Sequence, residues 1–134
     1  MVEESNDLEW LTRLSAAEWL LAAGKELGLA YERLRRNARR EGVTYARRAA
    51  GMALNAALRR ELDPTYGRSY MDHVKALRDD ERAPVDARAA ARRLVAAPMA
   101  ADLVTLGPGP VNLADDARAI VDYCRAIVGA GDAS

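Results

Sequence analysis

Between Ala17 and Leu34, apolar or small residues return at steps of three and four: Ala17, Leu20, Leu21, Gly24, Leu27, Gly28, Tyr31 and Leu34. A repeat near 3.6 places them on one stripe of an α-helix, whereas a strand would alternate at two. Such a stripe has to be covered, so the chain must fold by laying helices against one another. The remaining residues support this reading. Phe is absent, β-branched residues are sparse, and Ala, Leu, Arg and Glu, all good helix formers, dominate. The expected fold is all-α, an up-and-down bundle of four or five helices.

Local signals divide the chain further. A short lead-in helix is expected to begin near Asp7, within residues 1–14. Ser15-Ala16-Ala17-Glu18 has the form of a capping box, which starts the first long helix. Gly42 is expected to stop that helix after Arg39-Arg40-Glu41. Gly24 and Gly28 each cost helix stability by about 1 kcal/mol relative to Ala. Their place on the stripe predicts a second helix in close approach there. The next helix should run from Val43 or Thr44 to Leu62 and end before Pro64. Its apolar positions spread over more than one stripe, which places it at the bundle centre. A shorter helix is expected over Arg68–Asp79, then a polar connection at Asp79-Asp80-Glu81-Arg82. A fourth helix follows from Val85 to Ala97, with Pro84 at its start and Pro98 as its break. Gly107-Pro108-Gly109-Pro110 reads as a loop. Asn112 should cap a last helix over Leu113–Val128, leaving 129–134 as a disordered tail. The bundle domain is thus 15–128.

Composition excludes several classes of function. Twenty basic residues balance twenty acidic ones, so bulk charge points to no partner. One cysteine, Cys124, allows no internal disulfide and fits a reducing compartment. The start, Met1 to Asp7, is acidic and polar, unlike a signal peptide. No apolar run reaches the roughly 18 residues of a membrane span. A cytoplasmic location away from membranes is expected. One His and one Cys cannot supply the usual zinc ligand set, and the Gly107–Pro110 segment lacks the Lys and Ser or Thr of a phosphate loop. Neither a metal nor a cofactor is expected. Cys124 reads as a packed thiol, since no second histidine exists to activate it.

The stretch Tyr45-Ala46-Arg47-Arg48-Ala49-Ala50-Gly51-Met52-Ala53-Leu54-Asn55-Ala56-Ala57-Leu58 resembles the central helix of HEPN domains. Gly67-Arg68-Ser69-Tyr70-Met71-Asp72-His73-Val74-Lys75-Ala76-Leu77 is similar to the short helix that often carries that family's single histidine. The Ala- and Leu-rich helix before them, with Trp19 near its start, is also similar, and the likeness covers about residues 15 to 105. Gly51, Met52 and Asn55 depart from the charged residues common there. The resemblance implies a four- or five-helix bundle, often a homodimer. Its members include metal-independent endoribonucleases, inactive partners of nucleotidyltransferases, and nucleotide binders; antitoxin pairing is common among the ribonucleases.

Two groups of residues could carry chemistry. Ribonuclease members of that family use an Arg followed after four to six residues by His, and Arg68 and His73 fit with four between them. The histidine would move a proton on a ribose hydroxyl or leaving oxygen, and the arginine would hold the scissile phosphate. Five residues apart on one helix, they point about 140° from each other, so a dimer or an irregular helix start would have to bring them together. The alternative is a histidine that packs against a neighbouring helix, with Asp72 as its partner. The second group is basic. Arg33, Arg36 and Arg40 share one helical face by spacing, and Arg47 and Arg48 follow the turn at Gly42. Such a cluster could hold phosphates of RNA or a nucleotide, or be a solvated, helix-capping face. Trp19 is expected in the core and Trp10 over a dimer interface. The leading expectation is a non-catalytic module that binds a nucleotide, RNA or a protein partner through the arginine-rich face. The alternatives are a toxin-like ribonuclease using Arg68 and His73 across a homodimer, and a helical scaffold or accessory subunit without a ligand.

Overall fold

A computed structural model of the chain describes residues 8–97 and 112–133. Among these the protein is an all-helical bundle of six α-helices. They are α1 (Glu9–Thr12), α2 (Ala16–Arg35), α3 (Arg39–Arg60), α4 (Tyr70–Asp79), α5 (Val85–Ala96) and α6 (Asn112–Ala133), with a 3-10 turn at Pro64–Tyr66. The short α1 is the expected lead-in, and the five longer helices are those of the expected bundle. Pro98 and the Gly107–Pro110 loop lie outside the described residues.

The helix ends follow from capping chemistry. Ser15 accepts the Glu18 amide while Glu18 reaches back to the Ser15 amide, and Ser69 and Asp72 repeat the same exchange at α4. One expected boundary fails. The first long helix ends at Arg35, not Gly42. Asn37 takes up φ 62°, and the Ala38 amide bonds back to Arg33 O at 2.9 Å. Asparagine tolerates the left-handed conformation, so it supplies the stop. Gly42 instead lies buried inside α3, under the Leu34 side chain. At the far end, α6 passes the expected limit of Val128 and continues to Ala133, through most of the expected tail.

The three-residue turn folds α3 back along α2. Leu34 meets Gly42 near the turn, and Arg48 pairs with Glu26 at 2.7 Å further along. Twelve of the 22 residues of α3 are buried, which makes it the central helix. Its core face is mostly alanine: Ala46, Ala49, Ala50, Ala53 and Ala56 are fully covered. Little side-chain area is buried per alanine here, so the heavier contribution comes from Leu54 of the same helix and from Leu27, Leu34, Leu77, Leu94 and Ile120 around it. Each stabilises the fold by about 1.5–3 kcal/mol through burial. The small residues let the helix axes come close.

Close approach does occur at glycine, but not at the expected ones. Gly28 has nothing within 4 Å of where a Cβ would stand, and near Gly24 only the tip of Arg125 lies at 3.7 Å. Both face outward beside Leu21, which is 64% exposed. The tight contact is at Gly51, where a Cβ would overlap the Cβ, Cγ and Cα of Tyr70. Gly51 is therefore the point at which α4 lies directly on α3.

No helix among the described residues is long and apolar enough to cross a membrane.

Candidate functional site

The arginine group gathers at one end of the bundle, around the α2–α3 turn. Between residues 32 and 41, Arg33, Arg35, Arg36, Arg39 and Arg40 stand against Glu32 and Glu41 only. Arg33, Arg36 and Arg40 do not share one helical face, because the turn at Asn37 separates them. Arg33 and Arg36 end α2, while Arg40 opens α3. Arg33 is partly covered and paired with Glu32, with Glu41 at 3.7 Å and its guanidinium 5.6 Å from the Tyr45 ring centre. Arg35 lies 5.2 Å from the Tyr31 ring centre. Arg36 bonds Glu32 at 2.8 Å yet keeps 68% of its side chain exposed. Arg35 and Arg40 are exposed.

Helix electrostatics sorts these residues by cause. Cations at the end of α2 answer its carbonyl pole and need no ligand to explain them. Arg39 and Arg40 sit in the first turn of α3, at the positive pole of a 22-residue helix whose Ala38 cap offers no side-chain bond. Each cation placed there costs about 0.3–1 kcal/mol. Glu41 shares this first turn and is the charge that the pole favours.

Arg47 and Arg48 have other work. The half-buried Arg47 donates to the carbonyls of Leu94 (2.9 Å), Val95 (3.3 Å) and Ala97 (3.1 Å). It closes the carboxyl end of α5, and burial lowers its pKa from the ordinary value. Arg48 is neutralised by Glu26. Neither is separable from the basic cluster by sequence, because their partners are 47 residues on and 22 residues back.

His73 is fully buried. Its Nδ1 lies 2.8 Å from Tyr66 O, and since a carbonyl only accepts, Nδ1 carries the proton. Nε2 is then an acceptor; it is covered and has no hydrogen-bond partner among the described residues. The Trp10 ring packs 5.4 Å away, its own Nε1 covered and without a hydrogen-bond partner among the described residues. Burial lowers the His73 pKa below its ordinary value, against the opposing Tyr66 bond and Asp72 charge. Arg68 is exposed, before the start of α4. Trp10 packs against this histidine and stays partly exposed. Trp19 is in the core and bonds Leu11 O at 2.8 Å, which pins α1 in place. Cys124 is buried and its thiol pKa is pushed up by that burial.

At the opposite end of the bundle is a polar network that sequence reasoning missed. Tyr66 donates its hydroxyl to Asp80 at 2.7 Å. Arg82 bonds Asp80 at 2.9 Å and Asp63 at 2.8 Å. The Arg82 bonds, helped by the Tyr66 hydroxyl, hold the Asp80 carboxyl down at about 2, and burial with the Asp80 bond pushes the Tyr66 hydroxyl up. Its only mark in the sequence is the charged connection at 79–82. No family model matches the chain, and neither curated proteins nor solved structures gave a match.

Proposed function

We propose that the protein is a non-catalytic, HEPN-type helical binding module whose α2–α3 tip holds phosphates of single-stranded RNA. The observation that carries this is the amino terminus of α3, where the exposed Arg40 stands at the positive pole of a helix whose Ala38 cap makes no side-chain bond. Helix stability does not account for cations there, and an anion would offset them. Arginine forks match phosphate oxygens, and guanidinium groups next to Tyr31 and Tyr45 offer the flat cationic and aromatic surfaces on which unpaired bases stack. The other half of the reading is the His73 ring. General acid–base catalysis needs a ring nitrogen within reach of the substrate, and both nitrogens of this one are enclosed.

Fluorescence anisotropy with a labelled single-stranded RNA tests the proposal. The paired change Arg36→Ala with Arg40→Ala should weaken binding about tenfold. The RNA should stay intact in EDTA. Cleavage that His73→Ala abolishes in a folded chain would restore the ribonuclease alternative. Binding to an acidic protein but to no RNA would replace the partner while leaving the surface in place.

A further inference from the structure

We infer that His73 is a pH-sensitive latch for α1: a proton taken up at its Nε2 releases the turn Glu9–Thr12, with Trp10, from the bundle. The latch has three parts. The first is the ring itself. Nδ1 already donates to Tyr66 O at 2.8 Å, so the next proton goes to Nε2. That atom is enclosed, and no acceptor for a new N–H stands beside it among the described residues. A neutral imidazole leaves only an unfilled acceptor there. An imidazolium would leave a charged donor without a partner, which is the costlier state. The second part is the neighbour. The Trp10 ring lies 5.4 Å away, tilted by 35°, and its own Nε1 is enclosed without a partner among the described residues. An indole nitrogen only donates, so it cannot accept from the protonated ring.

The third part is the light attachment of α1. It is a single turn whose cap makes no side-chain bond, held by the buried Leu11 and by the Trp19 Nε1 bond to Leu11 O at 2.8 Å. The next helix starts afresh at the Ser15 capping box, so α1 can lift without unwinding α2. The charges around the ring leave no other outlet. Asp72, its neighbour in α4, is the group whose charge acts on the ring; it favours the protonated form but is exposed. The Tyr66 hydroxyl is taken by Asp80. Glu9 and Arg13, beside Trp10, are exposed. α3 and α5 pack on α4, and none of their buried residues is charged. Water reached by lifting α1 is what can solvate the new charge.

Burial holds the docked ring's pKa below its ordinary 6.5, and the released ring titrates near that value. As pH falls, the released state gains a proton that the docked state refuses, so release should grow about tenfold between pH 7.5 and 5.5. Hydrogen exchange of the full chain, read by NMR, tests this. The Trp19 indole N–H and the amides of Leu11 and Thr12 follow α1, while amides of residues 49–54 follow the core of α3. Corrected for intrinsic rates, α1 protection should lie well below that of the core and fall about tenfold over this range. In the same titration, the His73 ring protons and the Trp10 indole N–H should shift together. His73→Asn should make α1 protection independent of pH, and the parent-chain shifts decide the matter if that variant does not fold. Four results would each overturn the latch: α1 protection in the parent that ignores pH, α1 protection equal to the core's, an unchanged pH profile in folded His73→Asn, or a His73 titration that leaves the Trp10 indole signal in place.

Discussion

Replacing Gly51 by alanine sets two known effects against each other, and the structure decides the sign. In a helix interior, Gly→Ala is worth about 1 kcal/mol of added stability. At Gly51 the new methyl would meet Tyr70 at its Cβ, Cγ and Cα. These are the base of the side chain and the backbone of α4, not a flexible tip, so α4 itself must move. Overpacking of that kind costs about 1–3 kcal/mol, here toward the upper end. The net expectation is a loss of about 2 kcal/mol. Gly28 supplies the control, because nothing lies within 4 Å of its Cβ position and the propensity gain should stand alone. Gly28→Ala should therefore stabilise by up to about 1 kcal/mol. Urea unfolding followed by helical circular dichroism should place the two midpoints about 1 M or more apart, with the parent between them. A Gly51→Ala protein as stable as the parent would refute the packing of α4 on α3. A destabilised Gly28→Ala protein would refute the exposure of that face of α2.

Other consequences can be measured on the same preparations. The folded His73 pKa lies below its ordinary 6.5. Above that value the ring is neutral in both states. As pH falls through it, the unfolded chain takes up a proton that the folded one refuses. Stability should then drop by up to about 1.4 kcal/mol per pH unit until the lower folded value is reached, with a flatter profile for His73→Asn. Arg47→Ala leaves the carbonyls of Leu94, Val95 and Ala97 without their donor. The loss should be about 1–3 kcal/mol, with faster amide exchange confined first to α5. Cys124 should react with a disulfide reagent only as fast as the protein opens, since its thiol is buried and held protonated.

Features encoded within a few residues of each other are legible in the sequence itself. The Ser15–Glu18 capping box and the Pro84 start each mark a helix end by local chemistry alone, while the box at Ser69–Asp72 starts α4 two residues after the expected Arg68. The alanine-rich face of α3 marks a central helix in the same way. Gly42 misleads because glycine serves equally as a stop or as room for a neighbour. Only the position of Leu34 across the turn distinguishes the two uses. Arg47 resembles its exposed neighbours in sequence because its carbonyl partners come from α5. The same holds for the site residues. The spacing of Arg68 and His73 is visible in the sequence, but the burial of His73 depends on Trp10, brought over it from 63 residues away. The Asp63–Arg82–Asp80 network forms where the connection after α4 passes the end of α3, a juxtaposition no local pattern records.

The salt dependence of RNA binding tests the arginine tip most directly. For single-stranded RNA the logarithm of affinity falls with the logarithm of salt at about 0.7 per phosphate contact. Contacts from Arg35, Arg36 and Arg40 should give a slope near −2, collapsing toward zero when all three become alanine and unchanged in His73→Asn. Affinity indifferent to salt, or a triple variant that binds as the parent does, would contradict phosphate recognition at this end of the bundle.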